Sequence, residues 1–397
     1  MRTLLTCLLG SLPLAADELV LYETTPIETT LGDPALPEAH TVWAEAIAGA
    51  SESIELAHFY ASNQEGGRLE VLVQALEQAA ARGVRVRFLA SETFYGTYPD
   101  TLERLAAREG VELRRYDLEP RTGGTLHAKA LYVDGRRAYV GSQNFDWRAL
   151  EHILELGVCV EHPAVVEAWL DLFELDWHLA GGGAREEAPA ARRSADAFPA
   201  RVESEAWGPV LLTPVASPPA LLTDPQLWDL PHLIEWIDGA QERVRVQLLT
   251  YRMTDREGGY FAELEGALRR AAARGVRVEL LCADWCKRRG TIEGLQALQC
   301  LPGIEVRLAS LPAWSGGHIP FARVIHAKLM VVDGARAWIG TSNWERGYFH
   351  RDRNLGLLLE GAGVGAQLDA WFERTWGSEY AETVDPCRQY EVPRIGE

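Results

Sequence analysis

Two sets of residues with the makings of phosphate chemistry recur along this 397-residue chain. The first is His127 and Lys129, then Asp134, then Gly141, Ser142 and Asn144. The second is His326 and Lys328, then Asp333, then Gly340, Thr341 and Asn343, each 199 residues after its counterpart. A four-position pattern can arise once by chance; a second copy with the same internal spacing argues for a common job. Histidine offers a nucleophile or a proton, lysine a cation, and asparagine and hydroxyl groups neutral hydrogen-bond donors. That set suits a phosphate diester, with Lys and Asn holding the oxygens while His attacks or protonates.

The elements around each set must bring these groups together. Residues 126–133 and 325–332 are rich in Val, Leu, Ile and Tyr and are predicted strands. On a strand, residues two apart share a face, so His127 projects with Lys129, and His326 with Lys328. Asp134-Gly135 and Asp333-Gly334 predict tight hairpin turns. The return strands carry the Gly, hydroxyl and Asn back beside the His/Lys pair. The turn position gives Asp134 and Asp333 a structural rather than a catalytic role. Ser142 and Thr341 are candidates for substrate contact, although bonding to backbone at a turn suits them equally.

The rest of the chain repeats as well. Helices are predicted over 68–82 and 261–274, each stopped by a glycine, Gly83 and Gly275, and each followed by a Val-Arg-Val strand. Residues 163–178 form an amphipathic helix with Trp169, Phe173 and Trp177 on one stripe, echoed by Phe372 and Trp376. Two copies of one α/β unit follow: a duplicated α-β-α sandwich with mixed sheets and two pseudo-two-fold-related halves. The halves are placed at 17–179 and 211–397. Residues 180–210 are expected to be a linker or surface loop, and the proline-rich 211–228 an irregular approach to the second half.

The doubled H-x-K-x4-D pattern resembles the phospholipase D superfamily over residues 18–390. Four stretches bring it nearer to the animal endolysosomal phospholipase-D-like proteins, which are 5′ exonucleases on single-stranded nucleic acid. They are Val20-Leu21-Tyr22-Glu23-Thr24-Thr25-Pro26, Phe145-Asp146-Trp147-Arg148, Ile319-Pro320-Phe321-Ala322-Arg323-Val324, and Gly340-Thr341-Ser342-Asn343-Trp344 with Tyr348-Phe349. The resemblance implies cofactor-free phosphodiester cleavage through a phosphohistidine, with His127 as nucleophile and His326 as general acid; the reverse order stays open. Lys129, Lys328, Asn144 and Asn343 would hold the phosphate. It also implies a carboxylate a little under thirty residues after a catalytic His, which Glu155 supplies. The matching position in the second half is Asn354, leaving the support of His326 open, with Asp352 nearby. Trp344 and Tyr348 are expected substrate contacts beside Phe145, Trp147 and Phe349, though core packing suits these aromatics as well; His58 and Tyr60 are expected in the core or cleft wall.

The substrate is thus expected to be a phosphodiester, either single-stranded nucleic acid or a phospholipid headgroup open to hydrolysis or transfer. A binding protein without turnover is the reading from a different class. A net charge of −18 argues against a broad basic surface tracking a polyanion, though not against a local basic pocket. Residues 1–16, with Arg2 and an apolar run from Leu4 to Leu14, suggest a signal peptide and export, periplasmic or secreted; without it the protein would be cytoplasmic. No stable membrane insertion, a monomer and no metal site are expected. Of six cysteines, Cys7 lies in that leader. The resemblance pairs Cys387 with Cys282 or Cys286; buried free thiols are the alternative.

Overall fold

The computed structural model describes residues 18–192, 197–254 and 258–396. The suggested leader, with Cys7, lies outside them. Two mixed sheets carry the fold. The first runs in the order Leu19–Thr24, Glu155–Val160, Arg137–Gly141, Lys129–Val133, Ser53–His58, Arg85–Ser91, Val111–Tyr116. The second repeats this order with Gly208–Ser217, Asn354–Glu360, Arg336–Gly340, Lys328–Val332, Arg243–Leu248, Arg277–Ala283 and Ile304–Ala309. Two short strands, Ala200–Ser204 and Ala381–Thr383, extend its edges.

Each sheet is covered on its outer face by its own helices. Arg68–Ala81 buries Leu69, Leu72, Val73 and Leu76 along one stripe, as a 3.6-residue period requires. Gly83 then takes φ 91° and turns the chain into the next strand. Ala262–Ala273 repeats this with Gly275 at φ 93°. Between the sheets lie the long helices Pro163–Ala180 and Ala362–Trp376. Their buried Trp169, Phe173, Trp371 and Phe372 belong to one core that draws on both sheets. Losing a side chain of that size from such a core costs about 3–5 kcal/mol, so the halves are energetically one body.

Reciprocal contacts show the two-fold relation directly. Leu126 bridges to Arg353, and Leu154 bridges to Ile325. Shifting the first pair by 199 residues and exchanging halves gives the second. Such i-to-j, j-to-i pairing is what a two-fold axis imposes.

Part of the expected linker is structured. Ala200, Val202 and Ser204 point inward while Arg201 and Glu203 point out, and this period-two stretch pairs with Gly208–Ser217. The expected irregular approach at 211–228 begins instead as that ten-residue strand, despite two prolines. Pro214 is tolerated because the neighbouring strand stops opposite Leu212, leaving one flank of Pro214 without a ladder to donate to. Cys159, Cys282, Cys286, Cys300 and Cys387 are all free thiols. The implied bridge is not formed: Cys282 and Cys286 are fully buried in the second core, whereas Cys387 is exposed.

Candidate active site

The site assembles where the two sheets meet. The regular strands begin at Lys129 and Lys328, three residues later than predicted, because His127 and His326 sit in extended lead-ins held by the opposite half. The His127 N–H donates to Arg353 O at 2.9 Å, and the His326 N–H to Leu154 O at 2.8 Å. The Arg353 guanidinium is itself buried against Asp176 of the first half, at 2.7 and 2.8 Å. The hairpin turns then lock the strands. Asp134 and Asp333 adopt φ 53°, and their carboxylates accept the N–H groups of Ser51, Glu52 and Ser53, and of Gln241, Glu242 and Arg243. Both aspartates thus tie turn to neighbouring strand, far from any reacting group. The motif glycines have a steric reason: a Cβ on Gly340 would lie 2.4 Å from the Trp338 ring, and one on Gly141 2.6 Å from the Gly157 Cα.

Both histidines are nearly enclosed, with 6% and 8% of their surface exposed. Their Nδ1 atoms meet different partners, each from the other half. His326 Nδ1 lies 2.9 Å from both oxygens of Glu155. His127 Nδ1 lies 2.9 Å from Asn354 Oδ1. The orientation of the Asn354 amide is fixed by its surroundings. Its Nδ2 donates to Tyr348 O at 2.8 Å and its Oδ1 accepts from Thr341 Oγ1 at 2.8 Å. His127 therefore carries its proton on Nδ1 and presents an Nε2 lone pair. Lys129 Nζ sits 3.0 Å from that Nε2 and donates to His127 O at 2.8 Å. Lys328 Nζ donates to His326 O at 2.5 Å.

The resemblance pointed to Glu155 as partner to a catalytic histidine and left the support of His326 open; the fold hands Glu155 across the two-fold to His326. Asn354, which looked like a departure, occupies the equivalent place beside His127. Asp352 does not serve His326: it accepts the Thr125 N–H at 2.8 Å.

Electrostatics follow from burial. Burial and the neighbouring ammonium of Lys328 push Lys129 well below the usual lysine range. Burial lowers Lys328 to about 7. Burial raises the Glu155 carboxyl to about 8 despite Lys328 and Ser142. Burial and the two lysines hold both histidines down. An anion placed between the lysines relieves their repulsion, which gives this pocket a local appetite for phosphate inside an acidic protein.

The two asparagines lie at the start of the short return turns. Asn144 Nδ2 approaches the Tyr60 hydroxyl at 3.5 Å, and that hydroxyl donates to Asp146 at 2.6 Å. Asn343 Oδ1 accepts the Thr250 N–H at 3.2 Å. Ser142 and Thr341 are not on the open side. Ser142 Oγ accepts the Leu156 N–H at 3.1 Å and lies against Glu155, and Thr341 Oγ1 supports Asn354. Both are fully buried, and both hydroxyls are engaged with the segments that carry the histidines' Nδ1 partners.

The aromatics divide. Trp344, an expected substrate contact, is fully buried in the second core beside Tyr251, because the residue after Asn343 points inward on its short strand. Phe145 and Phe349 are buried too, and so is His58, between Trp43 and Phe88. Tyr348 is half-buried with its ring 4.9 Å from that of His127, edge to face. Phe59 also stands beside His127, at 5.0 Å, a residue the motif pattern does not single out although it directly precedes Tyr60.

Among the described residues no group of three or more His, Cys, Asp or Glu side chains is placed to hold a metal ion, and no helix is long and apolar enough to cross a membrane.

Comparison with known proteins agrees with this geometry. Residues 44–177 and 233–376 match the family described as cardiolipin synthase, PLD-like domain. The 5′-3′ exonuclease PLD4 of Homo sapiens is 31% identical over 93% of this chain and 79% of its own. Phospholipase D Z of Dictyostelium discoideum is 28% identical over 95% of this chain and 92% of its own. In structure, the phosphatidylserine synthase of Haemophilus influenzae superposes with a TM-score of 0.62, at 12% identity, over 87% of this chain and 85% of that one, which supports the fold. With a histidine and a lysine from each half close enough to shift one another's proton affinity, and with these matches, the chain belongs to the phospholipase D superfamily and is a phosphodiesterase of that family.

Proposed function

We propose that the protein hydrolyses single-stranded nucleic acid from its 5′ end, through a phosphohistidine on His127, without a metal ion. The observation that carries the division of labour is the unequal support of the two histidines. A carboxylate on Nδ1 of His326 favours the imidazolium, with Nε2–H free to protonate a leaving oxygen. A neutral amide on Nδ1 of His127 keeps that ring uncharged and nucleophilic at Nε2. The Nε2 lone pair attacks phosphorus while the bond from phosphorus to the leaving oxygen breaks, and that oxygen takes the proton from His326. A water then attacks phosphorus, gives its proton to His326, and the P–N bond breaks. Lys129, Lys328, Asn144 and Asn343 hold the non-bridging oxygens and stabilise the charge that builds on them.

The nucleic-acid reading rests on the named activity of the PLD4 relative. A phospholipid headgroup is the rival, favoured by the Dictyostelium relative, which matches almost end to end. The test offers purified protein, with EDTA present, 5′-hydroxyl single-stranded DNA and, separately, phosphatidylcholine or phosphatidylglycerol vesicles. Stepwise nucleotide release that disappears in His326→Ala is the expected result. Headgroup release alone would move the protein to the lipid branch. Phosphate-ester binding without turnover on either substrate would defeat both.

A further inference from the structure

The two-fold relation makes the catalytic groups symmetric, so any asymmetry around them reports on the substrate. The flanks of the two histidines differ sharply. Phe59 follows the Ser53–His58 strand and stands 5.0 Å from the His127 ring. Leu249 follows the corresponding Arg243–Leu248 strand in the second half. Phe94, three residues past the Arg85–Ser91 strand, packs on Phe59 at 4.1 Å. Three residues past Arg277–Ala283 the second half has Cys286, fully buried, its thiol on Leu249 O. Tyr348, against His127, has Ala149 as its counterpart 199 residues earlier. The aromatic wall continues outward on the His127 side, where Tyr60 lies 6.0 Å from Phe94 and 4.7 Å from Tyr98, the latter stacked. Phe59, Phe94, Tyr98 and Tyr348 are all half-buried.

We infer that this wall is a nucleobase subsite, and that it holds the 5′-terminal nucleoside, the part of the substrate that stays on phosphorus while His127 is phosphorylated. The inference rests on the nucleic-acid reading above and adds where the base goes. An in-line displacement puts the leaving chain opposite the nucleophile, on the His326 side, where Leu249 and Ala149 leave smaller flanks. The retained nucleoside leaves phosphorus equatorially, across that axis, and the rings beside His127 are the aromatic surface offered to its base. Rings with polar phenol tips suit a flat base, which has a π face and a polar edge, better than an acyl chain, which wants continuous aliphatic cover. The counterparts Leu249, Cys286 and Ala149 are what the same fold uses when no base needs stacking.

The experiment compares single-turnover kcat/KM on a short 5′-hydroxyl DNA strand with that on the same strand abasic at its 5′-terminal residue. Wild type, Phe94→Ala and Tyr348→Ala are run side by side, with bis(p-nitrophenyl) phosphate reporting the phosphoryl chemistry. Wild type should prefer the base-bearing strand by roughly 10- to 100-fold, the range that stacking one base on an aromatic ring is worth. Phe94→Ala should bring that preference close to unity, so that substitution and abasic site are strongly non-additive. A variant that merely loosened the fold would lower both strands alike and keep the ratio, which would overturn the subsite. Equal cleavage of both strands by wild type would also overturn it while leaving the exonuclease reading intact. Headgroup release from vesicles with no cleavage of either strand would remove the nucleic-acid reading itself, and the subsite with it.

Discussion

Replacing Glu155 with Gln isolates the proton-donor role of His326. Glu155 is fully buried with both oxygens 2.9 Å from His326 Nδ1. Glutamine keeps the size and one acceptor but removes the charge. Two opposite charges ~4 Å apart attract by about 4 kcal/mol at an effective dielectric near 20. That is roughly three pKa units of support for the imidazolium. On a substrate whose leaving oxygen needs a proton, E155Q should lower the first-step rate by about 10²- to 10³-fold. On bis(p-nitrophenyl) phosphate, whose leaving group departs without a proton, the loss should be within about fivefold if only proton donation is affected. The assay is single-turnover release from each substrate, in quench-flow, at a fixed pH. Equal losses on both substrates would refute the assignment of His326 as acid and point to phosphate positioning instead. An oligonucleotide rate unchanged by E155Q would refute any role for the pair. The fold should survive, because glutamine fills the same volume and keeps an acceptor oxygen toward His326 Nδ1.

Further outcomes follow from the same geometry. Lys328 has a folded pKa of about 7, below its ordinary value of 10.5, so between those limits the unfolded chain binds more protons and stability rises with pH. In Lys328→Met that rise should be shallower in Tm measured between pH 7 and 10, with Lys129 still contributing its own, whereas an unchanged slope would contradict the buried-cation reading. Asn354→Asp gives His127 a carboxylate like that of its twin; it should raise the proton affinity of His127, move the acidic limb of the kcat/KM profile to higher pH, and slow attack. An unmoved limb would mean that His127 is not the group that must be neutral. Arg353→Met leaves Asp176 buried without its partner, a loss of about 3–5 kcal/mol that chemical denaturation should register.

Much of the site was legible in the sequence because its information is local. His and Lys two apart on extended chain must share a face, and Asp-Gly after five apolar-rich residues must turn; the structure returns Asp134 and Asp333 in left-handed backbone, clasping three N–H groups each. The 199-residue repeat also fixed the doubled α/β architecture and the order of its helices and strands. Local pattern misled where burial on both sides of a turn was at stake: Trp344 and the hydroxyls of Ser142 and Thr341 face protein, not cleft. Proline content hid the strand at Gly208–Ser217, because whether proline breaks a ladder depends on which flank has a neighbour.

What only the tertiary structure decided is who meets whom across the two-fold. Glu155 sits 171 residues from His326 and Asn354 sits 227 from His127. No period or spacing encodes those meetings, since they arise from two sheets closing on a shared core of tryptophans and phenylalanines. The chain sequence determined that two equivalent half-sites exist. Their exchange of partners across the interface gave one histidine a carboxylate and the other an amide, and so made two matching motifs chemically unequal.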